Sequence, residues 1–206
     1  VAEASQNALG AIARADRSAP LPMSFAQQRL WFIARVDPEA SKAYHVPDAV
    51  RLRGALDIAA LQAALDRIVE RHEVLRTRFV GIGGQALQVI DEASGFALRH
   101  EDLRGATDPE LERIAREEAL RPFDLALGPL IRGRLLALGP EDHVLLVTMH
   151  HIVSDGWSQA VFRRELTTLY RAYRNGLANP LPPLALQYAD YALWQMLIFA
   201  SAALFF

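Results

Sequence analysis

Ile58, Leu61, Leu65, Ile68 and Val69 recur at helical spacing behind Asp57, whose carboxylate can accept from a free backbone N–H of the first turn. The spacing predicts an amphipathic helix there. Phe25, Leu30, Trp31, Phe32 and Ile33 give a second apolar face. Ser24 and Gln27 open it with capping-box spacing, Asp37-Pro38 closes it, and its aromatic content predicts deep packing. Asp108-Pro109 caps and starts a third helix carrying Leu111, Ile114 and Ala115, which must stop before Pro122. Over residues 158–174, Val161, Phe162, Leu166, Leu169, Tyr170 and Tyr173 mark a fourth, ended by Asn175-Gly176. Strand-like runs lie between these helices: Ala49–Leu52, Val74–Val80, Ala86–Ile90, Leu130–Leu138 and His143–His151. The second and third read as a hairpin around Gly81–Gly84, and the last two join through Gly139-Pro140-Glu141-Asp142. Residues 1–22 are Ala-rich, end in Ala19-Pro20-Leu21-Pro22 and read as a short helix or linker tail, so the folded part should start near Met23. Pro180–Pro183 forms a rigid connection into an aromatic segment, Tyr188–Trp194. Helices, strands and hairpins interleave without an internal repeat, so the class is α/β or α+β with a mixed β-sheet flanked by helices.

At 206 residues with 51% hydrophobic and 22% charged positions, the chain can bury a substantial core. A net charge of -2 gives no general attraction for nucleic acid or for an anionic membrane. Cysteine is absent, which removes disulfides, thiolate nucleophiles and Cys-based metal sites. Together with the lack of a secretory leader pattern, this points to a reducing, cytoplasmic setting. The apolar stretch Met196–Phe206 is about half the length that a bilayer crossing requires.

The densest candidate chemistry is His150-His151-Ile152-Val153-Ser154-Asp155-Gly156. Histidine titrates closest to neutral pH, so two of them at the end of an apolar run are candidates for proton handling. On a strand they point to opposite faces, so only one can look into a given cleft. Gly156 could take backbone angles denied to other residues and bring the chain close to a ligand. Two adjacent strand histidines do not readily chelate one ion, and no second ligand cluster has zinc spacing. Neither Ser154 nor Ser158 sits in a nucleophile elbow. Two readings stay open at this point: proton handling, or a pair of hydrogen-bonded core histidines with Asp155 as a helix cap.

The segment resembles the His-His-x-x-x-Asp-Gly signature of the condensation domains of nonribosomal peptide synthetases. Three further motifs of that family are matched in order: Ser24-Phe25-Ala26-Gln27-Gln28-Arg29-Leu30-Trp31-Phe32, Arg71-His72-Glu73-Val74-Leu75-Arg76-Thr77-Arg78-Phe79, and Tyr188-Ala189-Asp190-Tyr191-Ala192-Leu193-Trp194-Gln195. The resemblance implies a chloramphenicol-acetyltransferase-like lobe, a two-layer α/β sandwich. On this resemblance residues 23–195 would be its N-terminal lobe, 1–22 a linker from an upstream domain and 196–206 an apolar tail that departs from the family. The implied activity is amide bond formation between a donor peptidyl or aminoacyl thioester and an acceptor aminoacyl thioester. No cofactor is bound directly, and both substrates arrive on 4'-phosphopantetheine arms. Implied partners are upstream donor and downstream acceptor carrier domains, the C-terminal lobe and an adjacent adenylation domain, with neither nucleic acid nor membrane. By the same resemblance His151 is the catalytic residue and His150 the structural one. Asp155 anchors the loop through an ion pair with Arg76 or, second, Arg71, and Gly156 lets backbone N–H groups approach the thioester. Phe25, Trp31, Phe32, Tyr188, Tyr191 and Trp194 read as packing residues. The alternatives are an isolated lobe that only docks a carrier domain, and an epimerization-type homologue.

Overall fold

The structure, a computed structural model, describes residues 11–202. In chain order these form β1 (Leu21–Pro22), α1 (Phe25–Val36), the short helix α2 (Pro38–Ser41), a 3-10 turn (Lys42–Tyr44) and β2 (His45–Arg53). Then come α3 (Ile58–Arg71), a second 3-10 turn (Glu73–Arg76), β3 (Thr77–Ile82), β4 (Gln85–Ile90) and β5 (Leu98–Asp102). The order closes with α4 (Asp108–Leu120), β6 (Ile131–Gly139), β7 (Asp142–His150), α5 (Gly156–Arg174) and α6 (Tyr188–Ala202).

Strand β7 is buried without interruption from Leu145 to His150, as a central strand covered on both faces should be. It pairs antiparallel with β2 from His45↔His150 to Arg53↔Asp142, and antiparallel with β6 on its other side. β6 pairs parallel with β5, so the four-stranded sheet β2-β7-β6-β5 is mixed. Leu145, Val147 and Met149 point into the main core with Leu61, Leu65 and Ile68 of α3 and Phe162 and Leu169 of α5. On the opposite face Leu146 and Leu136 pack beneath Ile114 of α4. The expected hairpin is β3–β4, but it belongs to a separate three-stranded sheet ordered β1-β4-β3. Its two-residue turn is Gly83-Gly84, both at positive φ, the conformation that matches strand twist in a tight hairpin and that glycine adopts without penalty.

Several boundaries differ from the sequence reading for identifiable reasons. The strand expected over Ala49–Leu52 extends to His45 because the whole edge pairs with β7. Val74–Arg76 winds into a 3-10 turn before β3 begins. The N-cap of α4 is Thr107, with Asp108 already in the first turn, where a negative charge suits the helix dipole. β5 was not anticipated: Leu98-Arg99-His100-Glu101-Asp102 is an edge strand whose mostly polar residues do not alternate like a core strand. Helix α1 does not pack deeply. Ser24 and Gln27 complete its capping box, yet Phe25 and Phe32 are exposed and only Gln27 is fully buried.

The segment read as a linker is tied to the domain well before Met23. The Ala15 N–H donates to Asp190 Oδ1 at 2.9 Å, and Arg17 pairs with both Glu73 and Asp190 at 2.8 Å. α6 carries the apolar sequence after Gln195 on to Ala202, and the rest of the tail lies outside the described residues. No helix among the described residues is long and apolar enough to cross a membrane.

Candidate active site

β7 ends at His150, not at His151, and the chain turns there through Ile152 and Val153, both buried, before Asp155 opens α5. His150 is fully buried. Its Nδ1 accepts the Ile152 N–H at 3.1 Å and its Nε2 lies 3.1 Å from Ser41 Oγ. A nitrogen that accepts an N–H bond carries no proton, so neutral His150 holds its proton on Nε2 and donates it to Ser41. Burial, reinforced by the nearby rings of His45 and His151, pushes the His150 pKa down to about 4.

His151 is exposed, and it is anchored at two points. Its backbone N–H donates to the Tyr44 carbonyl at 2.8 Å, and its ring Nδ1 lies 2.5 Å from the Ser154 carbonyl. A carbonyl oxygen can only accept, so Nδ1 carries the proton and the Nε2 lone pair is left facing solvent. The two neighbouring imidazoles thus have opposite tautomers: His150 protonated on Nε2 and locked in the core, His151 protonated on Nδ1 with a free base nitrogen outside.

Asp155 does not pair with an arginine. It is the N-cap of α5, accepting from Ser158 N at 2.7 Å and from Ser158 Oγ at 2.5 Å, and these bonds lower its pKa. Both expected partners are engaged elsewhere, although the helix-to-strand corner between them shares a cavity with Val153, Trp157 and Ser158. Arg71, in the last turn of α3, reaches buried Glu165 of α5 at 3.2 Å, while Arg76 donates to the Asp91 carbonyl at the end of the β3–β4 hairpin. Gly156 is the first helical residue of α5 and has no positive φ, so the special backbone angles expected of it are not used. A Cβ placed there would meet nothing within 4 Å. The space in front of Gly156 is open.

Residues that the sequence reading did not single out complete the surroundings. Ser41, Tyr44 and His45 hold the two histidines from the corner that leads into β2, the His45 ring lying edge-on to His150 at 5.9 Å between centroids. Glu165 accepts from His72 Nε2 at 2.7 Å as well as from Arg71, which ties α5 to the end of α3. Gln187 bridges the Arg71 carbonyl and the Glu73 N–H, linking the second motif to the fourth. None of these left a local sequence signal, since each partner lies far along the chain. Beside the His151 turn, Met149, Val153, Trp157, Val161, Phe162 and Tyr188 line a mainly apolar cavity of about 230 Å³, with Trp157 largely exposed at its rim. Among the described residues no group of three His, Asp or Glu side chains could hold a metal ion. The arrangement can present one unencumbered imidazole base on a surface lined by apolar groups.

Comparison with known proteins gives this geometry a setting. Residues 18–204 match the condensation domain family. Malpibaldin synthetase of Mortierella alpina is 50% identical over 187 residues, covering 89% of this chain and 3% of that protein. Among solved structures, the X-domain from teicoplanin biosynthesis superposes with a TM-score of 0.85 at 38% identity, over 94% of this chain and 41% of that one. It has also been solved in complex with OxyB. The first condensation domain of the calcium-dependent antibiotic synthetase, in complex with a substrate analogue, gives a TM-score of 0.71 at 30% identity, over 81% of this chain and 41% of that one. The chain therefore spans less than half of the solved domains it matches and a few per cent of the synthetase.

Proposed function

Because this chain belongs to the condensation domain family, we propose that it is the first lobe of a peptide-bond-forming domain and that it supplies the base, His151. The acceptor amine attacks the carbonyl carbon of the donor thioester, and the tetrahedral intermediate collapses with cleavage of the C–S bond. The products are an amide and a thiol on the donor arm. His151 Nε2 takes the proton from the attacking nitrogen and returns it to the departing sulfur, so the imidazole ends as it began. The thioester is already an activated acyl group, so holding amine and carbonyl together supplies much of the acceleration.

The observation that carries this reading is the His151 ring itself, fixed through Nδ1 to the Ser154 carbonyl with Nε2 open to an incoming substrate. The open space before Gly156 supports it, since nothing within the chain uses the missing side chain. Both phosphopantetheine arms, the donor and acceptor carrier domains, the adjacent adenylation domain and the second lobe belong to this proposal. The reading requires that the chain alone does not condense carrier-bound substrates, whereas the chain completed by its second lobe does. In that completed domain His151→Ala should lower the rate about 100-fold or more, the range of general base catalysis. A His151→Ala domain within threefold of the wild type would refute the role, and condensation by the chain alone would refute the two-lobe requirement.

A second reading, docking without catalysis, is favoured by the complex of the similar X-domain with OxyB. It predicts carrier or enzyme binding by this chain that His151→Ala leaves unchanged, and no condensation even with the second lobe present.

A further inference from the structure

The His-His turn is held by a corner of the chain more than a hundred residues upstream. α2 ends at Ser41, the 3-10 turn runs through Tyr44, and β2 starts at His45 directly opposite His150. Each step makes one contact with the turn. Ser41 Oγ meets His150 Nε2 at 3.1 Å, the Tyr44 carbonyl accepts the His151 N–H at 2.8 Å, and the His45 ring lies edge-on to His150 while its own Nδ1 donates to the Ala119 carbonyl at 2.7 Å. Asp37 fixes the corner itself by capping α2, its carboxylate accepting from Glu39 N and Ala40 N at 3.0 Å.

We propose that Ser41 is a positioning residue for His151 and acts through the tautomer of His150. Both groups are buried, Ser41 8% and His150 0% exposed, so within the chain each relies on the other for this hydrogen bond. The Ile152 N–H, which can only donate, keeps Nδ1 as a lone pair, and Ser41 Oγ receives the proton this leaves on Nε2, so that the tautomer is satisfied at both nitrogens. If the proton moved to Nδ1, an N–H would face the N–H of Ile152 and the anchor would be lost. Ile152 is the residue after His151, and Tyr44 holds the N–H of His151 itself. The corner therefore fixes the peptide groups on both sides of His151, one directly and one through a proton position. This inference rests on the proposed role of His151 only for its consequence in catalysis; the tautomer relay is a property of the chain.

The test is long-range ¹H–¹⁵N correlation of the histidine rings in the ¹⁵N-labelled 206-residue chain. The wild type should show His150 as the Nε2–H tautomer and His151 as the Nδ1–H tautomer. Ser41→Ala should turn His150 into a mixture of tautomers and also shift or broaden the ring signals of His151, and Ser41→Thr, which keeps the hydroxyl, should restore both. A wild-type His150 carrying its proton on Nδ1 overturns the proposal without any variant, which keeps it testable should Ser41→Ala not fold. So does a folded Ser41→Ala chain whose His151 signals are unchanged. In the two-lobe domain Ser41→Ala should lower kcat about tenfold with KM unchanged, as misplacement of a reacting group does. If His151→Ala proved active, the catalytic reading would fall while the ring spectra still decided the relay.

Discussion

Lowering the pH from 7 to 5 should destabilise the chain through His150. Its ring is fully buried, makes both of its hydrogen bonds as the neutral form and has its pKa pushed from 6.5 down to about 4. Well above pH 6.5 the imidazole is neutral in the folded and unfolded chain alike and contributes no pH dependence. Between pH 6.5 and 4 the unfolded chain takes up a proton that the native state refuses, so stability falls as pH falls. Below about pH 4 the native ring protonates too and the loss levels off. A shift of this size corresponds to a loss of about 3 kcal/mol in full, of which about 2 kcal/mol has appeared by pH 5. The control is His150→Asn, whose side-chain oxygen can still accept the Ile152 N–H but does not titrate. That variant should be less stable at pH 7 by about 1–3 kcal/mol, because the Ser41 hydroxyl loses its partner. It should nevertheless have a flatter stability profile between pH 7 and 5, by about 2 kcal/mol, in urea unfolding at fixed ionic strength. The other histidines are common to both chains and cancel in the difference. Parallel profiles for the two proteins would refute the assignment of a buried, neutral His150.

Two packing predictions follow from the same sheet. A Cβ at Gly133 would sit 2.8 and 2.9 Å from the Phe96 ring and 3.0 Å from the Leu146 carbonyl, so Gly133→Ala should cost about 1–3 kcal/mol and lower Tm by several degrees in calorimetry. An unchanged Tm would mean that the strand relaxes freely. Glu118, a buried residue in the last turn of α4, accepts from Arg132 Nε at 2.6 Å, and Arg132 is itself buried over the Phe123 ring. Glu118→Ala should cost about 3–5 kcal/mol by stranding the guanidinium, while Glu118→Leu combined with Arg132→Met should cost distinctly less. Equal losses in urea unfolding would show that packing and not charge governs the pair.

Two helix starts were legible from local determinants alone. Asp57 ahead of Ile58, Leu61 and Leu65, and Ser24 with Gln27, define helix starts from neighbours within a single turn, and the structure has both caps. The His-His turn was legible as a candidate site because two titratable rings end an apolar run. The separate placing of β3–β4 in its own sheet and the existence of β5 were not legible, since both depend on pairings set by the whole fold. The Asp155–arginine ion pair failed for a related reason: the resemblance supplied the residues, while in the fold Arg71 is taken up by Glu165 and Arg76 by the Asp91 carbonyl. Asp155 instead does what its spacing to Ser158 permits, which is to cap a helix. Ser41 and Tyr44 gave no sign of their role, because a hydroxyl and a backbone carbonyl become site components only when β2 lies against β7.

The register that aligns His45 with His150 also sets an order of assembly. Ser41 and His150 are 109 positions apart, and the contact between them closes only after the chain has been made through β7. Closing so long a loop has an entropic cost that the β2–β7 ladder must offset before the turn beyond it can take shape. A growing chain that has emerged only as far as β6 carries Ser41 and Tyr44 with nothing to hold, and a detached peptide spanning Met149–Ser158 carries both histidines with no fixed proton positions. The surroundings of the His151 ring are therefore defined only together with the β2–β7 ladder, whose two strands lie about a hundred positions apart.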